Sequence, residues 1–362
     1  MAAAAAPANV LIFNEEALRA FTRSLLRAAG ASAVHAGLIA ETLVAANLRG
    51  VDSHGIQLLT MYLGRIQSGG IDLATEGKIH SESGACLVYD GEHGLGQVVA
   101  DRCTDHAIRL VRDFGLALVT ARNTYHFGAA AYWAEKMARS GAIGIVMCNA
   151  GPNVPPWQGA IPRLGTNPIC VAVPATGSGR WLLDMATTTV AKNKLEHAAY
   201  LGWDTIPDWW GFIDAAGKPT TNLAAAQAGL PTAVGGYKGS GLAVMVEILT
   251  AGLSGGPMAE DMPQNRTGAS DPVPVSHAFL AIAPDRFLAP GEFQTRMTRL
   301  TGMLKSSAPA PGYTEVLVAG EPEWRMQEKR QRDGIPIPTR LWARLGGMAR
   351  PLGVVPPAPL AG

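Results

Sequence analysis

The chain has 362 residues, room for roughly two domains at the usual hundred to two hundred residues each, and 48% of them are hydrophobic, which supplies a large core and excludes global disorder. Thirty lysines and arginines against 29 aspartates and glutamates leave a formal net charge of +1 with no basic block or acidic tail, so neither nucleic acid nor a membrane surface is an expected partner. Cys86, Cys103, Cys148 and Cys170 are scattered without CxxC spacing, which reads as reduced, buried thiols in a cytoplasmic protein and not as a zinc or disulfide framework.

Residues 1–10 form an alanine-rich stub with no basic n-region, so no export signal is expected. Asn14 is placed to cap a helix over 15–29 that Gly30 stops, and Ser32 to cap a second one running to Arg49. Leu59, Tyr62, Leu63 and Ile66, at three-to-four spacing, predict a third helix over 55–67, with Ser53 at its cap. From about residue 76 the rhythm changes to α/β, with strands at 86–89, 116–120, 143–148, 169–173 and 182–184 and helices over 97–114 and 129–139. A Pro/Gly-rich stretch, 151–168, interrupts this pattern, and a loop of that length inside a compact domain is more often functional than idle. A helix over 239–253 holds Glu247 and is too short for a membrane span. A polar loop at 259–274, a strand at 278–282 and helices from about Gly291, Glu321 and Thr339 complete the chain.

Two familiar patterns lack their context. Gly94-Leu95-Gly96 precedes a helix as a dinucleotide fingerprint would, but Val99 stands where the third glycine belongs, and Thr120-Ala121-Arg122 ends the next strand without an acidic residue for a ribose. Gly252-Leu253-Ser254-Gly255-Gly256 matches G-x-S-x-G, yet a helix runs into it and a loop follows, the reverse of a nucleophile elbow. The eight histidines include no pair at metal-ligand spacing, so no metal is expected.

What remains is a set of polar residues in glycine-rich joints. Asp52-Ser53-His54-Gly55 lies between two helices, and His126 of Asn123-Thr124-Tyr125-His126-Phe127-Gly128 lies between a strand end and a helix start, where α/β proteins place their chemistry. Lys238, in Gly235-Gly236-Tyr237-Lys238-Gly239-Ser240-Gly241, stands near a helix N-terminus whose free amides could cradle a phosphate.

Taken in order, Ala46 to Gly55, Gly96-Gln97, His126-Phe127-Gly128, Leu164 to Pro168, Asp184 to Thr187, Ile213-Asp214, Lys238-Gly239, Gly320-Glu321 and Gly334-Ile335-Pro336 resemble the malate/L-lactate dehydrogenase family, whose nicotinamide-binding fold is not a Rossmann fold. The resemblance implies an α/β (α+β) protein with a mixed central sheet over 76–319, packed with a helical domain made by both chain ends, 10–75 and about 320–355. It implies an NAD- or NADP-dependent oxidoreductase of a small 2-hydroxy or 2-oxo carboxylic acid, usually a homodimer with its site near the subunit interface. Its acid/base candidates are His126, favoured as the base, and His54, which orients the same oxygen; Ser53 and Arg49 are assigned to substrate. Asp184, Met185, Ala186, Lys238, Gly239, Gly320 and Glu321 are the implied cofactor contacts.

Two departures matter. Many members carry a carboxylate-clamping arginine four residues after the first histidine, where this chain has Leu58; Arg49, Arg163 and Lys192 are the candidate replacements. Ser240 stands where an aromatic residue often follows Lys-Gly. The competing readings are a reductase of a cyclic imine 2-carboxylate and a catalytically inactive cofactor-binding homologue. Trp157, Trp209 and Trp210 are candidates for the wall of a larger pocket, against a plain core or interface role.

Overall fold

A computed structural model describes residues 9–262 and 273–360 of the chain; residues 1–8 of the alanine-rich stub and most of the 259–274 loop lie outside them, and Val10, expected in the stub, opens the first strand. In chain order the elements are β1 (Val10–Phe13), α1 (Glu15–Ala28), α2 (Ala33–Leu48), α3 (Leu59–Gln67), β2 (Lys78–Ser83), β3 (Cys86–Asp90), α4 (Gly96–Phe114), β4 (Leu116–Thr124), α5 (Ala130–Arg139), β5 (Ile143–Cys148), β6 (Ile169–Ala172) and β7 (Leu182–Met185). There follow α6 (Asn193–Leu201), β8 (Phe212–Ile213), β9 (Pro219–Thr220), α7 (Leu223–Ala228), β10 (Leu230–Pro231), α8 (Tyr237–Glu247), β11 (Val275–Ile282), α9 (Glu292–Lys305), α10 (Glu321–Asp333), β12 (Ile335–Pro338) and α11 (Thr339–Ala349).

A seven-stranded sheet, ordered β2-β3-β4-β11-β5-β6-β7, forms the centre. Its one parallel pair is β3–β4; every other pairing is antiparallel. A Rossmann sheet is parallel and binds its dinucleotide where the strand order reverses, so this mixed sheet offers no such crevice after Gly94. The amphipathic helices α4 and α5 press Val99, Cys103, Leu110, Trp133 and Met137 onto Leu87, Val119 and Phe279 of one sheet face. At that face's edge Gly96 is forced by close approach, because a Cβ there would overlap the carbonyl oxygens of Tyr125 and His126.

Both chain ends share one core. Phe13, Leu18, Leu43 and Tyr62 pack with Ile335, Ile337, Leu341 and Leu345, and β1 pairs with β12 antiparallel. A smaller core, with Leu195, Trp210, Phe212 and Leu223, lies under α6, α7 and the three-stranded sheet β10-β8-β9.

The structure corrects several local expectations. The predicted helix from residue 55 begins as two 3-10 turns, Asp52–His54 and Ile56–Leu58, and becomes α-helical only at Leu59. Ser53 caps nothing; the Ile56 N–H donates instead to Asn47 Oδ1 of α2 (2.8 Å). Cys86 is exposed, not buried, because it opens β3 beside the outer hairpin strand β2. The predicted helix over 239–253 starts at Tyr237 and widens to a π-helix over Ile248–Gly252. Ser254 of the G-x-S-x-G match is buried just beyond it, its hydroxyl donating to the Ala251 carbonyl (3.5 Å), so no accessible nucleophile stands there. No helix among the described residues is long and apolar enough to cross a membrane.

Candidate active site

Two joints carry the histidines. The first, between α2 and α3, is held by a polar knot: Arg330 of α10 makes a two-toothed ion pair with Asp52 (2.7 and 2.9 Å), and Asn47 donates to the same carboxylate (2.6 Å). Both charged side chains are mostly buried, at 11% and 14% exposure, so water competes little with the pair. Gly55 is required because any Cβ would overlap the Asn47 side-chain amide. The knot fixes Ser53, whose buried hydroxyl lies 3.0 Å from His54 Nδ1 and sets that ring's orientation.

The second joint links β4 to α5. Trp133 donates its indole N–H to the Phe127 carbonyl (3.1 Å), pinning the loop to the helix it feeds. Gly128, at φ +84°, turns its N–H onto His126 Nδ1 (3.2 Å). The Tyr62 hydroxyl, buried on α3, lies 2.8 Å from that same nitrogen and 3.4 Å from the His126 carbonyl. Burial holds the phenol well above its ordinary pKa, so it stays a neutral group that can donate or accept.

The rings of His54 and His126, 72 positions apart in the chain, stack at 5.7 Å between centroids with 25° between planes. Both open onto one cavity of about 1660 Å³. Burial, reinforced by the Lys194 ammonium, lowers the His54 pKa to about 4, so that ring is neutral near pH 7.

Ser53, Arg49, Asp184, Met185, Ala186 and Gly320 line the same cavity. Asp184 stands at the end of β7, one carboxylate oxygen accepting the Ala131 N–H at the start of α5 (2.9 Å). The surrounding protein pushes its pKa up to about 6, the Ala131 N–H opposing. Arg49 lies 3.6 Å from Glu135, and its charge acts on Asp184.

Lys238, Gly239 and Glu321 are not among the lining residues. Lys238 is exposed on the first turn of α8, Gly239 packs against the Val234 and Thr187 backbone, and Glu321 is paired with Lys305 and Arg325. Arg163 also lies off the cavity, whereas Lys192 lines it. Of the three tryptophans, Trp210 reaches the wall; Trp157 and Trp209 are exposed elsewhere.

The sequence reading missed Tyr62, Arg330 and Lys194. Tyr62 sat in a regular apolar stripe and read as core; Arg330 lies 278 positions from Asp52, and no local signal links them.

A profile of the malate/L-lactate dehydrogenases matches residues 13–346. The malate dehydrogenase of Pyrococcus horikoshii is 36% identical over 354 residues, 96% of this chain and 97% of its own. The L-sulfolactate dehydrogenase of Methanocaldococcus jannaschii is 34% identical, covering 95% of this chain and 98% of its own. The solved structure of malate dehydrogenase from Pyrococcus horikoshii superposes with a TM-score of 0.88 at 33% identity, across 97% of this chain and 98% of that one. The chain belongs to the malate/L-lactate dehydrogenase family. With that membership go an oxidoreductase activity on hydroxy acids, a small-molecule substrate and a nicotinamide cofactor.

The cavity fits such a cofactor. At about 1660 Å³ it exceeds the roughly 300–1,000 Å³ of an ordinary small-ligand site, leaving room for a dinucleotide and an acid together. Its wall offers the Asp184 carboxylate as an acceptor for ribose hydroxyls, and two neutral-capable imidazoles at one point.

Proposed function

We propose that the protein interconverts a small 2-hydroxy acid and its 2-oxo acid, with His126 and His54 acting on the reacting oxygen. The observation that carries this is the stacked histidine pair opening onto one large cavity. In oxidation His126 Nε2 takes the hydroxyl proton, which requires the ring's other proton on Nδ1, donated to Tyr62 Oη; the Gly128 N–H then passes from Nδ1 to the same phenol oxygen, and the phenol turns its own hydrogen to the His126 carbonyl. His54, neutral and oriented by Ser53, holds the same substrate oxygen. Asp184, Met185, Ala186 and Gly320 would hold a nicotinamide cofactor from this protomer, and that cofactor would supply the hydride acceptor for C2.

NAD is the favoured form. Asp184 and Glu323 both face the cavity, and a carboxylate accepts from a ribose diol but repels a 2′-phosphate. A panel of 2-oxo acids followed at 340 nm with each reduced cofactor tests the reading: turnover is expected with at least one acid, at a kcat/KM about tenfold or more higher with NADH than NADPH. Turnover of a cyclic imine 2-carboxylate in preference to every linear acid would replace it with the imine reductase reading. Cofactor binding without turnover of any substrate would replace it with the inactive-homologue reading.

We further propose a homodimer. Tyr237, Val244, Met245 and Ile248 form an exposed apolar face along α8 and the π-helical turn after it, the kind of patch that marks a protein interface. Lys238 rides on the same helix, so a second subunit would bury the proposed Lys238-Gly239 contact in an interface. Sedimentation equilibrium is expected to give twice the chain mass, and Ile248→Asp to return it to one; a monomeric wild type at micromolar concentration ends the idea.

A further inference from the structure

Among the described residues, Lys194 is a cation with no anion in contact. It lies on the first turn of α6 and lines the cavity, with its ammonium 5.8 Å from the centre of the Trp210 ring. Among the described residues, no carboxylate lies within 4 Å of it. The Glu323 carboxylate across the cavity acts on it without touching it, and the Lys194 charge in turn acts on the imidazoles of His54 and His197. Burial depresses both rings, leaving them neutral near pH 7, so they supply no counter-charge. His197 is held in place by Gln57 Oε1 (3.2 Å), and Gln57 in turn donates to the Asn193 carbonyl (3.1 Å), which ties the first turn of α6 to the His54 joint. Burial lowers the pKa of the Lys194 ammonium and the Glu323 carboxylate opposes that shift, so the ion has room for a closer anion in the cavity.

The other cations of the wall have occupations: Arg19 pairs with Glu15 and Glu41, and Lys192 is engaged as well. Arg49 faces Glu135, Arg344 lies against Glu196 and the Tyr200 hydroxyl, and Arg139 pairs with Glu135. Leu58 is 3% exposed and packed in the core shared by the chain ends, so it offers a substrate neither charge nor hydrogen bond.

We propose that Lys194 is the specificity-determining anchor for the C1 carboxylate of the substrate, holding it beside His54 while the C2 oxygen lies between the two histidines. The chemistry sets the placement. In a 2-hydroxy acid the carboxylate is one bond from the reacting carbon, so its anchor must stand next to the acid/base pair; the charge that acts on His54 is that of Lys194, whereas Arg49 acts on Asp184 and lies against Glu135. A desolvated ammonium gives its full strength only to an anion that enters the same cavity, and it gives an amide or ester of the same shape much less. This assignment rests on the hydroxy-acid reading above.

The test uses Lys194→Met, Lys194→Arg and the wild type, each saturated with NADH. Oxamate serves as an unreactive carboxylate probe and oxamide as its uncharged counterpart, with binding measured by calorimetry; KM and kcat are measured for the best 2-oxo acid of the panel. Lys194→Met is expected to weaken oxamate binding and raise KM at least about thirtyfold, as for loss of a hydrogen bond to a charged group, with a smaller change in kcat. NADH affinity should stay constant, oxamide should bind wild type and variant alike, and Lys194→Arg should recover most of the oxamate affinity. Undiminished oxamate binding and unchanged KM in a folded Lys194→Met, beside an active wild type, overturn the Lys194 assignment alone. So does a loss confined to NADH binding, which would give Lys194 to the cofactor. A wild type that neither binds oxamate nor turns over any 2-oxo acid overturns the hydroxy-acid reading first, and this proposal with it.

Discussion

Replacing His126 with alanine is expected to lower kcat by at least about a hundredfold while KM moves far less, the pattern of a lost general acid/base. The geometry adds a second, more selective expectation. Gly128 N–H points at His126 Nδ1, and a ring that only accepted there would carry its single neutral proton on Nε2, the wrong place for a base. Tyr62 supplies the alternative partner at 2.8 Å: its oxygen accepts the hydrogen bond from Nδ1–H and takes over the Gly128 N–H, while its own hydrogen goes to the His126 carbonyl. Tyr62→Phe should therefore cost roughly tenfold or more in kcat for oxidation, with KM and cofactor affinity nearly unchanged.

The pH profile checks the same chain of groups. Oxidation needs an unprotonated His126, so kcat/KM for the hydroxy acid should rise with pH on one limb and lose that limb in His126→Ala. His54, with its pKa lowered to about 4, is neutral across that range and should add no second limb near pH 6 to 7. Full turnover by His126→Ala with chemistry rate-limiting would remove His126 from the reaction.

The second large effect is structural. Asp52→Ala should destabilise the fold by about 3 kcal/mol, because it strands the Arg330 guanidinium in a mostly buried site and leaves the Asn47 amide without its acceptor. The double variant Asp52→Ala/Arg330→Met should recover a large part of that loss, since the buried cation goes with its partner. Chemical denaturation of the three proteins reads both numbers. Activity should not recover in parallel: without the knot the Ser53-His54 joint loses its register, so kcat/KM stays low where stability returns. A single variant within about 0.5 kcal/mol of the wild type would mean that the knot is a solvated surface pair after all.

The resemblance carried by short segments, Asp52 to Gly55, His126 to Gly128 and Asp184 to Thr187, was enough to reach the family and the two histidines. Most helix boundaries were legible too, since Asn14 and Ser32 cap their helices through contacts two or three residues away. Strand β2 was not legible: all its residues are exposed at the sheet edge, so it has no buried face to write an apolar alternation into the sequence. The π-helical turn after Glu247 was missed because its composition is that of any apolar helix.

The sequence by itself determined where chain direction and hydrophobic period are local properties: helices at both ends, an α/β middle, glycines where the backbone turns, and histidines at the joints. The tertiary structure alone decided which charges are already satisfied. Arg49, Arg330 and Lys194 look alike as letters, yet folding sets the first beside Glu135, spends the second on Asp52, and leaves the third facing the cavity without a carboxylate within 4 Å among the described residues. That sorting depends on contacts between residues up to 278 positions apart and on the exclusion of water around them, and neither exists until the core has closed.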